Sequence, residues 1–129
     1  MAEWEKRIFA INLIVGDLER SKTFYREVFG LFPLDEEEDL AIYRFKDTFV
    51  ALRHNPAHQA IPSSEVLGLA QKGAGQFSIV VRDVDAVRAE LDERGVALIS
   101  GPADRDWGMR TLTFADPGGY IWGIAQDLP

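Results

Sequence analysis

The sequence predicts an α+β fold of two βαβββ modules in tandem, whose curved sheets form a cleft with helices outside. Two observations predict it: a strand–aspartate–helix segment occurs twice, and three strand candidates follow each copy. The chain has 129 residues, which is the size of one domain. We therefore expect one domain over 1–129, with module 1 at about 7–54, a linker at 55–74 and module 2 at about 75–127.

Module 1 begins with a short, mostly apolar and β-branched strand over 8–15. Asp17 follows as a helix N-cap, and apolar residues recur at helical spacing until Gly30 ends the helix. Three strand candidates come next, near 32–35, 40–45 and 48–53. We expect the acidic run 35–39 to be a solvated hairpin tip between the first two of these strands.

The same pattern recurs at an offset of 66 residues, so that Leu13 aligns with Ile79 and Asp17 with Asp83. A second helix follows Asp83 and stops near Gly95. Its strand candidates lie near 96–99, 110–115 and 119–126. Chance rarely keeps a strand, a cap and a helix face in register, so this repeat predicts two equivalent modules.

Alternate residues along the first strand of each module differ in character. In module 1 one set is large and apolar and suits a helix interface: Phe9, Ile11, Leu13 and Val15. The other set, Ile8, Ala10, Asn12 and Ile14, contains a small residue and an amide, which suit the wall of a cavity. The strand over 76–82 has the same asymmetry, with Gln76 and Ser78 in the second set. The sequence therefore predicts a pocket lined by the inner faces of the sheets.

Two motifs resemble those of a known family. The segment Asp17-Leu18-Glu19-Arg20-Ser21-Lys22-Thr23-Phe24-Tyr25, closed by Gly30-Leu31, looks like the first-module signature of the vicinal oxygen chelate superfamily. The segment Asp116-Pro117-Gly118-Gly119-Tyr120-Ile121-Trp122 resembles its closing hairpin. That superfamily includes glyoxalase I, extradiol dioxygenases, fosfomycin-resistance enzymes and bleomycin-binding resistance proteins. The resemblance covers nearly the whole chain and implies the fold, whereas the fold hosts unrelated chemistries.

The resemblance also directs attention to a metal site. Enzymes of the family bind a divalent metal through one side chain from each of four equivalent strands, typically His or Glu. The matching positions here are Ala10, Ala51, Gln76 and Gly123. A shift of one or two residues in the strand would put Leu52 or Arg53 in place of Ala51, and neither is a metal ligand. We therefore expect neither a metal nor a cofactor.

Two candidate ligand-binding residues lie in the segment 106–110, which resembles that of the metal-free bleomycin-type members. Trp107 would stack on a planar or cationic ligand, or else cover the edge of the core. Arg110 would pair with a ligand carboxylate or phosphate, or else with one of the chain's 21 acidic residues.

The other candidate ligand-binding residues are three polar side chains on apolar strands, Gln76, Asn12 and Ser78, together with Arg53. Arg53 lies on the presumed cavity side of its strand or, being near the strand end, reaches solvent instead. Buried amides and hydroxyls need hydrogen-bond partners, which would be a ligand's polar atoms or one another and water. The chain's two histidines, His54 and His58, have Pro56 between them, so we expect a surface loop there. A non-standard site or a proton relay involving them is the alternative.

Composition excludes several classes of function. There are no cysteines, so disulfides, thiolate metal sites and cysteine nucleophiles are absent. The net charge of −7 argues against a nucleic-acid partner, which needs a basic face. No signal-peptide pattern or membrane-length apolar run occurs, so we expect no membrane partner and a cytoplasmic location.

These observations favour metal-independent binding of a small organic molecule, aromatic or amphipathic, as in drug sequestration and antibiotic resistance. The alternative is a lyase, isomerase or dioxygenase-like enzyme of the same superfamily, metal-free or with displaced metal ligands, for which no catalytic residue is identified. A third hypothesis, a structural or regulatory partner of another protein, predicts a filled cavity and an exposed apolar patch. The resemblance also implies a homodimer.

Overall fold

The computed structural model describes residues 2–55, 65 and 75–129. Backbone contacts divide the chain into two compact units, Met1–Ala60 and Ile61–Pro129, and this division falls inside the predicted linker. Among the described residues each unit holds one four-stranded sheet and one α-helix. The predicted α+β class and the two tandem modules are confirmed, while a cleft formed by both sheets stays a prediction. No helix in the described ranges is long and apolar enough to cross a membrane.

Module 1 consists of strand β1, helix α1 and three further strands. Its elements are β1 (Ala10–Val15), α1 (Leu18–Phe29), β2 (Asp35–Glu37), β3 (Leu40–Phe45) and β4 (Thr48–His54). The strand order is β1-β4-β3-β2, with β1 parallel to β4 and the other neighbours antiparallel. Asp17 caps α1 by accepting a hydrogen bond from the Arg20 amide at 3.0 Å. Gly30 ends the helix in the left-handed region, at φ 68°, as the sequence predicted.

One strand of module 1 lies later in the chain than predicted. The expected strand over 32–35 is wrong, because Asp35–Glu37 forms β2 itself and pairs with β3. The hairpin tip predicted over 35–39 is confined to the exposed turn at 38–39. This is an edge strand whose side chains are exposed, which tolerates three consecutive acids.

The Lys22 ammonium of α1 donates to the Glu36 carboxylate at 2.7 Å, and this bond raises the pKa of Lys22.

Module 2 repeats the arrangement. Its elements are β5 (Gln76–Val80), α2 (Val84–Glu93), β6 (Leu98–Asp104), β7 (Met109–Ala115) and β8 (Ile121–Asp127). The strand order is β5-β8-β7-β6, with β5 parallel to β8. The Asp83 side chain caps α2 by accepting from the Ala86 amide at 3.1 Å. The offset repeat therefore placed the strand, the cap and the helix of the second module correctly.

The core of each module lies between its helix and one face of its sheet. In module 1 the Tyr25 ring packs on Phe29 and Tyr43, at centroid distances of 5.1 Å and 5.1 Å. Leu13 and Val15 are buried on the helix side, as predicted. Phe9 was predicted to lie on the same side, but it is not buried there. It precedes β1, which begins at Ala10, and its side chain is 60% exposed. In module 2 the fully or almost fully buried side chains include Val84, Leu91, Leu112, Phe114 and Trp122.

The closing hairpin of module 2 is built around one buried carboxylate. Asp116, 2% exposed, accepts hydrogen bonds from the backbone amides of Gly118 and Tyr120 at 2.9 Å and 3.1 Å. Its second oxygen accepts from the indole nitrogen of Trp122 at 3.0 Å. The aspartate thus shapes the turn and holds the core tryptophan of β8, which explains why both residues belong to one motif.

We predict that Asp116→Ala lowers the free energy of unfolding by about 3 kcal/mol, because three donors lose their acceptor inside the fold. Urea unfolding followed by circular dichroism measures the change. Asp92→Ala is the control: it removes an exposed carboxylate paired with Arg88 at 3.6 Å and should cost about 0.5 kcal/mol or less. Equal losses in the two variants would contradict the role given to Asp116.

The core of module 1 contains an unsatisfied polar atom. The Tyr43 side chain is 0% exposed, and its hydroxyl has no hydrogen-bond partner among the residues that the structure describes. Burial raises the pKa of the Tyr43 phenol, because the charged form would lose its hydration. We predict that Tyr43→Phe leaves stability unchanged or raises it by up to about 1 kcal/mol, since it removes only an unpaired polar group.

Chemical denaturation of both proteins tests this prediction. Tyr43→Leu is the control that removes the ring as well, and it should destabilise by about 2 kcal/mol through lost packing on Tyr25. A destabilisation of Tyr43→Phe as large as that of the leucine variant would show that the hydroxyl has a partner.

Candidate functional site

Strand register shows which residues of the two modules are equivalent. In module 1 Asn12 of β1 lies beside Ala51 of β4, and in module 2 Ser78 of β5 lies beside Gly123 of β8. Ala51 therefore matches Gly123 without any shift along the strand. The alternatives Leu52 and Arg53, which the sequence left open for this position, are not equivalent to Gly123.

The four equivalent positions do not fit the divalent metal that the resemblance implies. Ala10, Ala51 and Gly123 have no donor atom, and Gln76 offers only a neutral amide. Within residues 2–55, 65 and 75–129, no group of three or more His, Cys, Asp or Glu side chains could hold a metal ion. His54 ends β4, where its backbone amide donates to the Asp39 carbonyl at 2.9 Å. His58 lies outside the described residues.

The second sheet instead carries a recess with a volume of about 540 Å³. The buried Leu112, Phe114 and Trp122 occupy the face that packs on α2. Side chains alternate along a strand, so Thr111, Thr113 and the other alternate positions of β5, β7 and β8 line the opposite face. Most residues that line the recess belong to this opposite face, and Leu112 and Ile124 of the helix-facing set also border it.

The floor of the recess is formed around Gly123. A Cβ atom at this position would lie 3.0 Å from Nε2 of Gln76 and 3.0 Å from Oγ of Ser78. The ends of these two polar side chains therefore meet above the glycine, in the space that a larger residue would occupy. Neither side chain forms a hydrogen bond with another described residue, so the amide and the hydroxyl are both available to a ligand.

One wall of the recess is the turn between β6 and β7. The Arg105 amide donates to the Met109 carbonyl at 2.7 Å, and the Gly108 amide donates to the Arg105 carbonyl at 3.0 Å. Gly108 has φ 86°, which a side chain would resist. This tight turn carries Trp107, whose side chain lines the recess while it is 66% exposed. The indole is thus held at the mouth with much of its surface in solvent.

Residues that the sequence did not single out complete the wall. The Arg105 guanidinium donates through Nε to Oγ1 of Thr111 at 2.9 Å. The hydroxyls of Ser100 and Thr113 share a hydrogen bond of 2.6 Å. Alternation along β7 would have identified the two threonines. No local pattern would have identified Ser100, because β6 pairs irregularly with β7.

The irregularity of β6 has a steric cause. The pairing shifts between Leu98 and Ser100 and again between Ser100 and Ala103, around Gly101. At Gly101 a Cβ atom would collide with the Thr111 carbonyl oxygen and lie 2.9 Å from Cα of Leu112. The residue also has φ 80°. Glycine allows this close approach of two backbones, and the shift brings Ser100 opposite Thr113.

The structure thus brings together three of the six predicted ligand-binding residues: Gln76, Ser78 and Trp107 line the recess. Asn12 and Arg53 lie in module 1, where the Arg53 guanidinium donates to the Asn12 amide oxygen at 2.8 Å. The Arg53 guanidinium is therefore one partner of the Asn12 amide, a pairing that the sequence did not predict.

Arg110 is not among the residues that line the recess. Its guanidinium donates to Asp104 at 2.6 Å and to Asp85 of α2 at 2.9 Å, on the helix side of the sheet. The hydrogen bond with Arg110 lowers the pKa of the Asp104 carboxyl, and the same bond raises the pKa of Arg110. Arg110 thus pairs with acidic residues of the chain, the alternative to a ligand that the sequence had left open.

Comparison with known proteins agrees with this architecture. The protein called uncharacterized protein YraH of Bacillus subtilis (strain 168) is 30% identical over 117 residues, which are 86% of this chain and 91% of that protein. Lactoylglutathione lyase GLX1 of Arabidopsis thaliana is 25% identical over the whole of this chain, which spans 48% of that enzyme.

A solved structure is similar across the whole fold. TnmS3, an antibiotic binding protein from Streptomyces sp. CB03234, is 28% identical with a TM-score of 0.73, over 98% of this chain and 99% of its own. The model of the Glyoxalase/Bleomycin resistance protein/Dioxygenase superfamily matches residues 7–124. The family resemblance predicted from the two motifs is therefore confirmed, and the chain belongs to the glyoxalase/bleomycin resistance protein/dioxygenase superfamily.

Proposed function

We propose that this protein binds a small organic molecule without a metal, in the recess of the second sheet. One observation carries the proposal: above Gly123, a position where the family's enzymes place a metal ligand, the polar ends of Gln76 and Ser78 converge and have no described partner. An amide and a hydroxyl supply hydrogen-bond donors and acceptors, which orient an organic ligand rather than a cation.

The dimensions and lining of the recess support this proposal. Its volume of about 540 Å³ lies within the range of small-molecule sites, roughly 300–1,000 Å³. Apolar side chains such as Ile99 and Ile121 line it beside the neutral polar groups of Gln76, Ser78 and Thr113. A site of this composition gains affinity from apolar burial and selectivity from a few hydrogen bonds.

Trp107 supports a planar ligand. An indole that is 66% exposed at the mouth of a recess leaves apolar surface in water, and a stacked ring would cover it. Aromatic stacking contributes about 0.5–1.5 kcal/mol beyond the area that it buries. Asn12 and Arg53 stay predicted ligand-binding residues of module 1, and the homodimer stays a prediction.

Similarity to an antibiotic binding protein favours sequestration of a drug or a drug-like metabolite as the biological role. The alternative is an enzyme, which similarity to a lactoylglutathione lyase favours. That alternative needs either a metal held by residues other than the four equivalent positions or a metal-free mechanism. The residues at the four equivalent positions favour a binding protein over a metalloenzyme, because three of them have no side-chain atom that could coordinate a metal.

We predict that small aromatic compounds stabilise the protein and that divalent metals do not. A thermal-shift screen with one plate of aromatic antibiotics and metabolites and one plate of metals measures this. A ligand at a hundred times its dissociation constant stabilises a fold by about 2.7 kcal/mol, which such a screen detects. A shift with nickel, zinc, manganese or iron that EDTA reverses would favour the metalloenzyme instead.

We predict that Trp107→Ala weakens binding of any organic compound found in that screen by roughly tenfold, because stacking and buried area are lost. Titration calorimetry measures the dissociation constant. Trp4→Ala is the matched control: Trp4 is 74% exposed, and it does not line the recess. Equal affinities of the Trp107 variant and the wild type would place the ligand elsewhere.

A further inference from the structure

We propose that the ligand of this recess carries an anionic oxygen group, such as a carboxylate, beside a planar ring, and that Arg105 binds that group. The inference rests on the proposed function and adds the chemical class of the ligand. It also assigns charge preference to Arg105 rather than to Arg110, which the sequence had suggested.

The charge of the recess is the first support. Arg105 is the one charged side chain among its described lining residues, and no aspartate or glutamate lines it. The whole chain has 21 acidic residues against 14 basic ones. The lining of the recess therefore carries one positive charge and no negative one, while Asp104 is paired with Arg110 and Asp106 follows Arg105 in the chain. Such a site favours an anion and disfavours a cation.

The hydrogen bonding of Arg105 is the second support. Its Nε donates to Oγ1 of Thr111 at 2.9 Å, which holds the guanidinium against the wall. Among the described residues the Arg105 guanidinium has no carboxylate partner, and its two terminal nitrogens form no hydrogen bond. Arg110, five residues along the same hairpin, contacts two carboxylates. Arg105 thus combines one hydrogen bond to the wall with free terminal donors, and a guanidinium with free donors binds a planar oxyanion through two parallel bonds.

The neighbours of Arg105 specify the remainder of the ligand. Trp107 lies two residues away on the same turn and lines the same recess, so it offers a flat apolar surface to a ligand bound there. The Nε2 amide group of Gln76 adds donors at the floor. Because amide and guanidinium groups both donate, the site suits a ligand rich in oxygen acceptors.

The net charge of −7 does not prevent this recognition. At physiological ionic strength, charges in solvent are screened beyond about 8 Å, so acids farther than that from the recess act weakly on a bound anion. Arg105 acts at hydrogen-bond distance. The contact between the Arg105 guanidinium and the bound oxyanion therefore sets the preference for an anionic ligand.

Matched ligands test the inference. Planar ring systems of one to three fused rings would each be measured as a carboxylate, a primary carboxamide and an aminomethyl compound, by thermal shift and then calorimetry. We expect carboxylates to bind roughly tenfold more tightly than the carboxamides on the same ring, and the amines to bind most weakly. We also expect rising salt to weaken carboxylate binding and to leave carboxamide binding unchanged.

Two variants separate the role of Arg105 from that of net charge. Arg105→Gln should abolish the preference for carboxylates while carboxamides still bind. Arg88→Gln makes the same change of charge on α2, outside the recess, and should keep the preference. Carboxamides or amines that bind the wild type as tightly as carboxylates would overturn the inference and leave the proposed function in place. A preference for carboxylates that survives in Arg105→Gln would also overturn the inference and leave the proposed function in place. No binding by any of the three classes would count against both.

Discussion

Packing of helix α2 on one face of the second sheet is the interaction on which the recess depends. Leu112, Phe114 and Trp122 are buried on that face, and Asp116 holds the Trp122 indole through a 3.0 Å hydrogen bond. Because side chains alternate along strands, each buried residue turns its neighbours toward the other face. Thr113 and Gly123 reach the recess for this reason. The core and the site are therefore two sides of one set of strands.

The chemistry of the recess depends on which residues lie at the positions where the family's enzymes have metal ligands. A large ligand at position 123 would exclude the side chains that now meet there, since even a Cβ atom would come within 3.0 Å of Gln76 and Ser78. Glycine leaves that space to an amide and a hydroxyl. Hydrogen-bonding groups thus occupy the place of a coordination site, which supports the proposal of an organic ligand.

The β6–β7 hairpin separates two arginines that are similar in sequence and different in surroundings. Arg110 lies on the helix side, where Asp85 and Asp104 neutralise it. Arg105 precedes the turn and bonds to Thr111 on the recess side. A guanidinium that already has carboxylate partners gains little from a ligand, whereas one with free donors gains more. Contacts across strands, rather than residue type, therefore decide which arginine can recognise an anion.

The sequence by itself determined the two modules, the helix caps at Asp17 and Asp83 and the polar character of Gln76 and Ser78, because periodicity and capping are local patterns. It misplaced β2, whose position depends on pairing with β3 and on the Lys22–Glu36 bond. Only the tertiary structure decided the strand register, the shift at Gly101 and the face on which each arginine lies. These features arise from contacts between residues distant in the chain, which no local pattern records.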